Sequence, residues 1–547
     1  MGDQGHLPTI SSSSRTMSTN YNLASAIHRH GLQTPDAVAV AYKGQSVSYR
    51  ELAERAARLA QELRQSGHWS ADDGQPPRVG ILASRGIDAC VALLGACWAG
   101  ASYVPIGLKL PEERILTILS LCKLTAIVAD ADGVKLLSER VRAACPPLVI
   151  CTASDPDAAL AKPGESPAAA PGGGSSSPQG LAAPEPMAAG DVAYIIFTSG
   201  TTGVPKGVMI SAAAARHYAQ MIARHLDLRA TDRALETCEL TFDFSVHNMF
   251  STWEAGAALH ILPATVVMNA VKFVRNAQLT VWNSVPSLVG MLRQVKTLHA
   301  DSLKDLRVTV FGGEALPEGT VAAWRVAAPN TAIFNLYGPT EATVFCLGQA
   351  VEHDTAITAG RDFIAIGTPL PGNEAMIVDG HKQVLANGEA GELAVAGVQL
   401  ADGYLNEPQL TAERFPTING KRWYLTGDLA SVDAAGTFHC LGRIDNQVKV
   451  LGYRVELEEI DAHLRAVSGI DLVGAVAWPT VDGMARGIVG FVAASSLDSV
   501  QVIRDLKARL PAYMVPNQLV ALASMPLNQS GKVDRQALRK RLEQDPL

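Results

Sequence analysis

The densest chemistry in the chain lies in ten residues, TSGTTGVPKG at 198–207. Thr198, Ser199, Thr201 and Thr202 offer hydroxyls, Gly200 and Gly203 let backbone N–H groups approach a ligand closely, and Lys206 adds a positive charge. Hydroxyls, open backbone donors and one cation form a cradle suited to polyphosphate. The run does not follow the GxxxxGK[ST] pattern, because Pro205 precedes the lysine and Gly207 follows it. An apolar run over 191–197 leads into the loop and reads as its supporting strand.

The elements that must hold this loop alternate. Leu52, Ala56, Leu59 and Leu63 recur at helical spacing and predict an amphipathic helix over 49–67. Strands are expected at 78–82, 125–129, 257–262, 279–283 and 306–311, with helices at 91–99, 267–275 and 288–296. Strand and helix in turn imply a parallel sheet covered on both faces. From 364 to 396 the pattern shifts to short strands with Gly-containing turns. The last hundred residues predict helices at 456–467 and 499–510 and strands around 471–478 and 487–492, a small α+β unit. The expected fold class is therefore α/β and α+β. A large N-terminal domain of layered sheets and helices covers 21–444, and a small mobile C-terminal α+β domain covers 445–547. The boundary falls in GRIDNQVK at 442–449.

Two stretches stand apart. Residues 1–20 are polar, lack the apolar core of a secretory signal and are expected to be a disordered leader. Residues 154–190 are dominated by Ala, Pro, Gly and Ser, with too little aliphatic bulk to offset the entropy of ordering. They are expected to form a flexible surface insertion.

Composition narrows the partners. Apolar residues make up 48% of the chain, which excludes a wholly disordered protein. Against 46 Lys and Arg stand 53 Asp and Glu, a net charge of −7, so neither nucleic acid nor a membrane surface is indicated. Eight cysteines without a CxxC pair fit reduced thiols rather than zinc or a disulfide framework. The uncharged run at 89–108 is broken by Gly95, Gly100, Pro105 and Gly107, and reads as a buried helix entering a buried strand rather than a membrane span. A cytoplasmic location is expected.

The ten-residue loop resembles the phosphate loop of the adenylate-forming superfamily, which comprises acyl-CoA synthetases, firefly luciferases and the adenylation domains of nonribosomal peptide synthetases. The resemblance runs from 47 to 535: VSYREL at 47–52, GASYVPI at 100–106, TFDFSV at 241–246, FGGEAL at 311–316 and NLYGPTEATV at 335–344. It continues through GELAVAG at 391–397, YLTGDL at 424–429, GRIDNQVKVLGYRVEL at 442–457, LPAYMVP at 510–516 and NQSGKVDR at 528–535. This is the pattern of a stand-alone amino-acid adenylation domain.

The resemblance implies an ATP site at Thr198, Ser199, Gly200, Thr201, Thr202, Gly203, Lys206, Gly313, Glu314, Ala315, Asn335, Leu336, Tyr337, Gly338, Thr340, Asp428 and Arg443. Tyr337 would offer a flat ring to adenine, Asn335 an amide to its amino group, and Asp428 a carboxylate to both ribose hydroxyls. Thr340 would donate to the α-phosphate, and Glu341 would ligate Mg²⁺. Thr340, Glu341 and Lys532 are the implied catalytic residues, and Asp445 is the implied hinge. Asp243 would bind the substrate ammonium, although an N-cap for the following helix is an alternative role. Phe244, His247, Ser287, Val310, Gly312, Leu336, Val344, Phe345 and Lys532 would complete a substrate pocket for a small or medium uncharged side chain.

The implied reaction is ATP-dependent activation of an amino acid to aminoacyl-AMP with release of pyrophosphate. Transfer to the phosphopantetheine thiol of a carrier protein would follow. Only twelve residues follow Arg535, so either the carrier is expected in trans or the chain is a piece of a longer synthetase, and a small activator protein is a candidate further partner. A CoA ligase for a non-amino carboxylic acid, or a non-catalytic carrier-docking module, are the competing readings. Gly107, Leu451, Glu458 and Asp402 depart from the common pattern, where aspartate, arginine, glycine and arginine are usual.

Overall fold

The structure is a computed structural model that describes residues 20–67, 69, 74–152, 180–200, 203–450, 452–481, 484–528 and 532–545. Its helices form where the apolar spacing demands them. In Tyr49–Gln65 the Ser48 hydroxyl accepts from the Glu51 N–H at 3.2 Å and caps the first turn, while Leu52, Ala56, Leu59 and Leu63 face inward.

Two large sheets result. In the first, strands Val38–Tyr42, Ala258–Ile261, Arg233–Glu236, Val281–Ser284, Val308–Gly312 and Ala332–Tyr337 run parallel in that order, and Leu347–Ala350 joins antiparallel. In the second, Leu148–Cys151, Ala126–Ala129, Arg78–Leu82, Ser102–Pro105 and Val192–Thr198 run parallel before Lys206–Ser211 turns back beside Val192–Thr198. One continuous core joins both sheets through helices Tyr49–Gln65 and Ile87–Trp98. The uncharged run at 89–108 is accounted for by helix Ile87–Trp98 and strand Ser102–Pro105, both buried. Among the described residues no helix is long and apolar enough to cross a membrane, and none of the eight cysteines is paired.

A third, antiparallel sheet of Asn373–Val378, Gly391–Gly397, Tyr424–Val432 and Phe438–Arg443 follows. It sets Asp428 directly opposite Arg443. Beyond it, two further apolar clusters draw only on residues after 447 and are built on helices Leu457–Ser468, Ser499–Lys507 and Arg535–Gln544.

Two expectations need correction. The helix expected at 267–275 is a 3₁₀ turn, Ala264–Asn269, followed by helix Ala270–Asn276, and Val266 breaks the helical dihedrals. The second correction concerns the insertion at 154–190, of which 153–179 lies outside the described residues, as does the leader at 1–19. Its remaining part is a docked strap. The Asn22 amide donates to the Glu185 carbonyl at 2.8 Å, Glu185 N–H donates to Trp98 O at 2.9 Å, and the Trp98 indole donates to Ala182 O at 3.1 Å. Met187 is buried beneath it. Backbone pairing with distant segments substitutes here for the aliphatic bulk that the composition lacks. Met187→Ala is therefore expected to lower the unfolding free energy by about 2–4 kcal/mol in urea titration.

Candidate active site

The parallel strands deliver their carboxyl ends to one cleft, the place where open α/β sheets bind ligands. Val192–Thr198 ends at the ten-residue loop, Val308–Gly312 runs into GGE, and Ala332–Tyr337 runs into GPTE. A cavity of about 440 Å³ opens there, lined by Thr198, Ser199, Asp243, Thr340, Tyr453 and Arg454 among others. The Thr198 hydroxyl is buried without a hydrogen-bond partner, as an anion-binding group awaiting its ligand would be. Gly200 makes the turn possible, since a Cβ there would lie 1.9 Å from the Val204 carbonyl oxygen. Thr201 and Thr202 lie outside the described residues.

The last hundred residues close over this loop. Ser199 Oγ donates to Arg454 O at 3.0 Å, and Gly200 N–H donates to a Glu459 carboxylate oxygen at 3.0 Å. Lys206 pairs with Glu456 at 3.3 Å, and Arg114 pairs with Glu459 at 2.6 Å. Glu341 is fully buried. Its Oε1 accepts from the Tyr404 hydroxyl at 2.8 Å and its Oε2 from Arg454 Nη1 at 2.8 Å. Burial alone would raise its pKa, but the charges of Arg454 and Lys206 hold it down at about 2. Both oxygens of the expected Mg²⁺ ligand are thus committed to an internal cation and a hydroxyl. Among the described residues no group of three metal-ligating side chains exists elsewhere. Mg²⁺ typically takes one or two carboxylates together with substrate phosphates, and in this arrangement the expected carboxylate is engaged by Arg454.

Asp428 accepts from Arg443 Nη1 at 2.8 Å and from the Tyr337 hydroxyl. Arg443 also grips Asp445, with Nε to Oδ1 at 2.8 Å and Nη2 to Oδ2 at 2.5 Å. The expected ribose carboxylate, aromatic platform and hinge therefore form one hydrogen-bonded chain. Asn335 is buried, and its Nδ2 donates to Ala365 O at 2.8 Å, which fixes the orientation of the amide. The Glu314 carboxylate accepts from the Ser287 N–H at 2.9 Å and so caps helix Pro286–Gln294. Ala315 is exposed beside it, whereas Leu336 and Val310 are buried in their strands.

Asp243 makes no cap bond to helix Phe244–Val246, which removes the N-cap role. Burial, reinforced by the charge of Glu341, pushes its carboxyl up to about 6, against the Thr340 hydroxyl and the charge of Arg454, which favour ionisation. After Phe244–Val246 the backbone widens into a π-helical turn, His247–Ser251. His247 is buried there, its Nδ1 shares a 2.7 Å hydrogen bond with the Tyr218 hydroxyl, and burial lowers its pKa to about 3, so it is neutral.

The AMP-binding enzyme family matches residues 27–405. The chain belongs to that family. It is 32% identical over 531 residues to the delta-poly-L-ornithine synthetase of Acinetobacter baumannii, covering 94% of this chain but 36% of that protein. It is 33% identical over 515 residues to tyrocidine synthase 3 of Brevibacillus parabrevis, covering 92% of this chain and 7% of that one. The chain thus spans a minor part of the length of either relative. Among solved structures, the Vibrio cholerae adenylation domain AlmE in complex with glycyl-adenosine-5'-phosphate aligns over 100% of both chains at 26% identity, with a TM-score of 0.80.

In this AMP-binding enzyme one implied catalytic residue lies apart from the others. Lys532 is exposed on a turn, where its N–H donates to Asn528 Oδ1 at 3.0 Å, and it does not line the cavity. The hairpin of Gln447–Val450 and Tyr453–Glu456 faces the phosphate loop instead. Of the departures from the common pattern, Glu458 accepts from Asn446 at 2.6 Å, and Leu451 lies outside the described residues.

Sequence reasoning missed Arg454, Glu456, Glu459, Arg114, Tyr404 and Gln399. The first two stand inside GYRVEL, and their charges were the available signal. Gln399 carries none, yet it is wholly buried and its Nε2 bonds to the carbonyls of Ala342, Thr343 and Phe345.

The raised Asp243 pKa sets a stability test. The fold disfavours the ionised form, so its penalty is absent below the ordinary value of 3.8, grows between 3.8 and about 6, and is complete above that. At pH 8 Asp243→Asn is expected to unfold with about 1–3 kcal/mol more free energy than the parent, and near pH 4 the gain should vanish. Urea titrations at both pH values measure it.

Proposed function

We propose that this enzyme activates an amino acid with ATP, forming aminoacyl-AMP and releasing pyrophosphate. The observation that carries the reading is Asp243: a half-buried carboxylate lining the cavity, free of any cap role and beside Thr340. A substrate ammonium would supply the cation this carboxylate lacks. The substrate carboxylate oxygen then attacks the α-phosphorus, and the bond to pyrophosphate breaks. Thr198 and the loop N–H groups hold phosphate oxygens, Tyr337 faces the base, Asn335 meets its amino group and Asp428 accepts from the ribose. This is catalysis by positioning and by fixed charge. The relatives named synthetase and synthase, and the glycyl-adenosine-5'-phosphate complex of AlmE, support the same reading.

The second half-reaction in this reading is attack of a carrier protein's phosphopantetheine thiol on the acyl carbon, with AMP leaving. The small unit at 445–547 turns about Asp445 between the two steps. The docked hairpin with Lys532 turned away supports assigning this arrangement to the second step. A cytoplasmic location and a carrier in trans belong to the same reading.

Two measurements test it. Asp243→Ala is expected to abolish amino-acid-dependent pyrophosphate exchange and to leave ATP affinity within a few fold. Retained exchange, or exchange driven by a non-amino acid, overturns the assignment. In single-turnover assays Lys532→Ala should slow adenylate formation about a hundredfold, equivalent to about 3 kcal/mol, and spare thiol attack on supplied aminoacyl-AMP. Arg454→Ala should show the reverse pattern. Equal loss in both steps for either variant rejects the two-arrangement account.

A further inference from the structure

The cavity is lined by Asp243 but not by Phe244, His247 or Phe345. Asp243 is partly open, but the side chains behind it are not: Phe244 is 5% exposed, Phe345 2% and His247 0%. Their rings pack edge to face, with centroids 5.1 Å apart for Phe244 and Phe345 and 5.5 Å for each of them to His247. Gly312 forms the opposite wall. A Cβ on it would lie 2.4 Å from Phe345 Cζ, so the Phe345 ring already fills the space above that glycine.

This closure is built into the backbone. Thr343 and Val344 both take positive φ, 54° and 71°, a conformation that strains a β-branched residue. Strain of this kind persists only where the surroundings enforce it, and Gln399 does so. Its amide nitrogen holds three carbonyls of the 342–345 loop at 2.8–3.3 Å, and its Oε1 accepts from Asn373 at 2.7 Å. The loop therefore presents the Phe345 ring to Gly312 as a fixed wall.

We infer that the amino acid activated here is glycine, because three packed rings and Gly312 leave no room for a side chain behind the carboxylate that anchors the ammonium. The inference rests on the proposed amino-acid activation, and it narrows the expected small or medium side chain to none. Phe345 and His247 set the limit by bulk, and Gln399 acts through Phe345 as a positioning residue.

The test is pyrophosphate exchange by the full chain with glycine, alanine, serine, proline, valine and leucine. Glycine is expected to lead, with kcat/KM at least tenfold above alanine and at least a hundredfold above valine and leucine. One missing or added methylene in a tight pocket discriminates by roughly 10- to 200-fold. Phe345→Ala should raise the valine-to-glycine ratio of kcat/KM at least tenfold, a change that general destabilisation would not produce. Should that variant fail to fold, calorimetry on the unmodified chain with non-hydrolysable glycyl- and valyl-sulfamoyl adenosines replaces it, with the glycyl compound binding at least tenfold tighter. A preference for proline, valine or leucine, or equal binding of the two analogues, overturns the inference and leaves the proposed function standing. Failure of every amino acid, with a non-amino acid active instead, overturns both.

Discussion

A carboxylate without access to water keeps its charge only beside a cation, and Glu341 is in that position. It sits at the end of a parallel strand, at the point where the sheet delivers its chemistry, and the cation comes from Arg454, 113 positions further along the chain. Leaving such a charge buried without its partner would cost about 3–5 kcal/mol. The pair therefore draws the last hundred residues onto the sheet edge. Two further charge pairings accompany it: Glu456 meets Lys206, and Glu459, steadied by Arg114, takes the Gly200 N–H. The incoming hairpin and helix complement the cleft charge for charge, cation to carboxylate and carboxylate to cation or N–H.

Much of this was legible in the sequence, for identifiable reasons. Strands at 78–82 and 308–312 lie within two residues of their expected bounds because parallel strands buried on both faces are uninterrupted apolar runs. The phosphate loop announced itself through composition, and its strand through the run before it. What stayed hidden depends on long-range contact. Gln399 sits in a run without pattern, and its three bonds exist only once the 342–345 loop has been brought beside it. The π-turn at His247–Ser251 has no signature in residue type. The strap at 180–190 looked too poor in aliphatic residues to order, yet its backbone carbonyls are held by side chains of distant segments, which composition does not reveal. Motif resemblance named Glu341 as a metal ligand. The partner it has here, Arg454, was already quoted within a motif, but the sequence gives no hint that the two meet.

The same economy shapes the substrate end. A neutral, buried histidine and two phenylalanines close the space behind Asp243, and a strained loop pinned by one amide holds the closure in place. In the proposed function, polar groups at the cleft mouth would bind the substrate and the packing behind them would decide what fits. The two tasks fall on different physical forces.

The loop at 198–207 has a property that follows from who occupies it. Gly200 N–H and Lys206 are groups that phosphate oxygens would use, and in this arrangement carboxylates of the chain's own last hundred residues hold them. A triphosphate tail and the docked helix are thus rival tenants of one anion site. Each can enter only after the other has left. In the proposed reaction, departure of pyrophosphate would vacate the seat that Glu456 and Glu459 hold here.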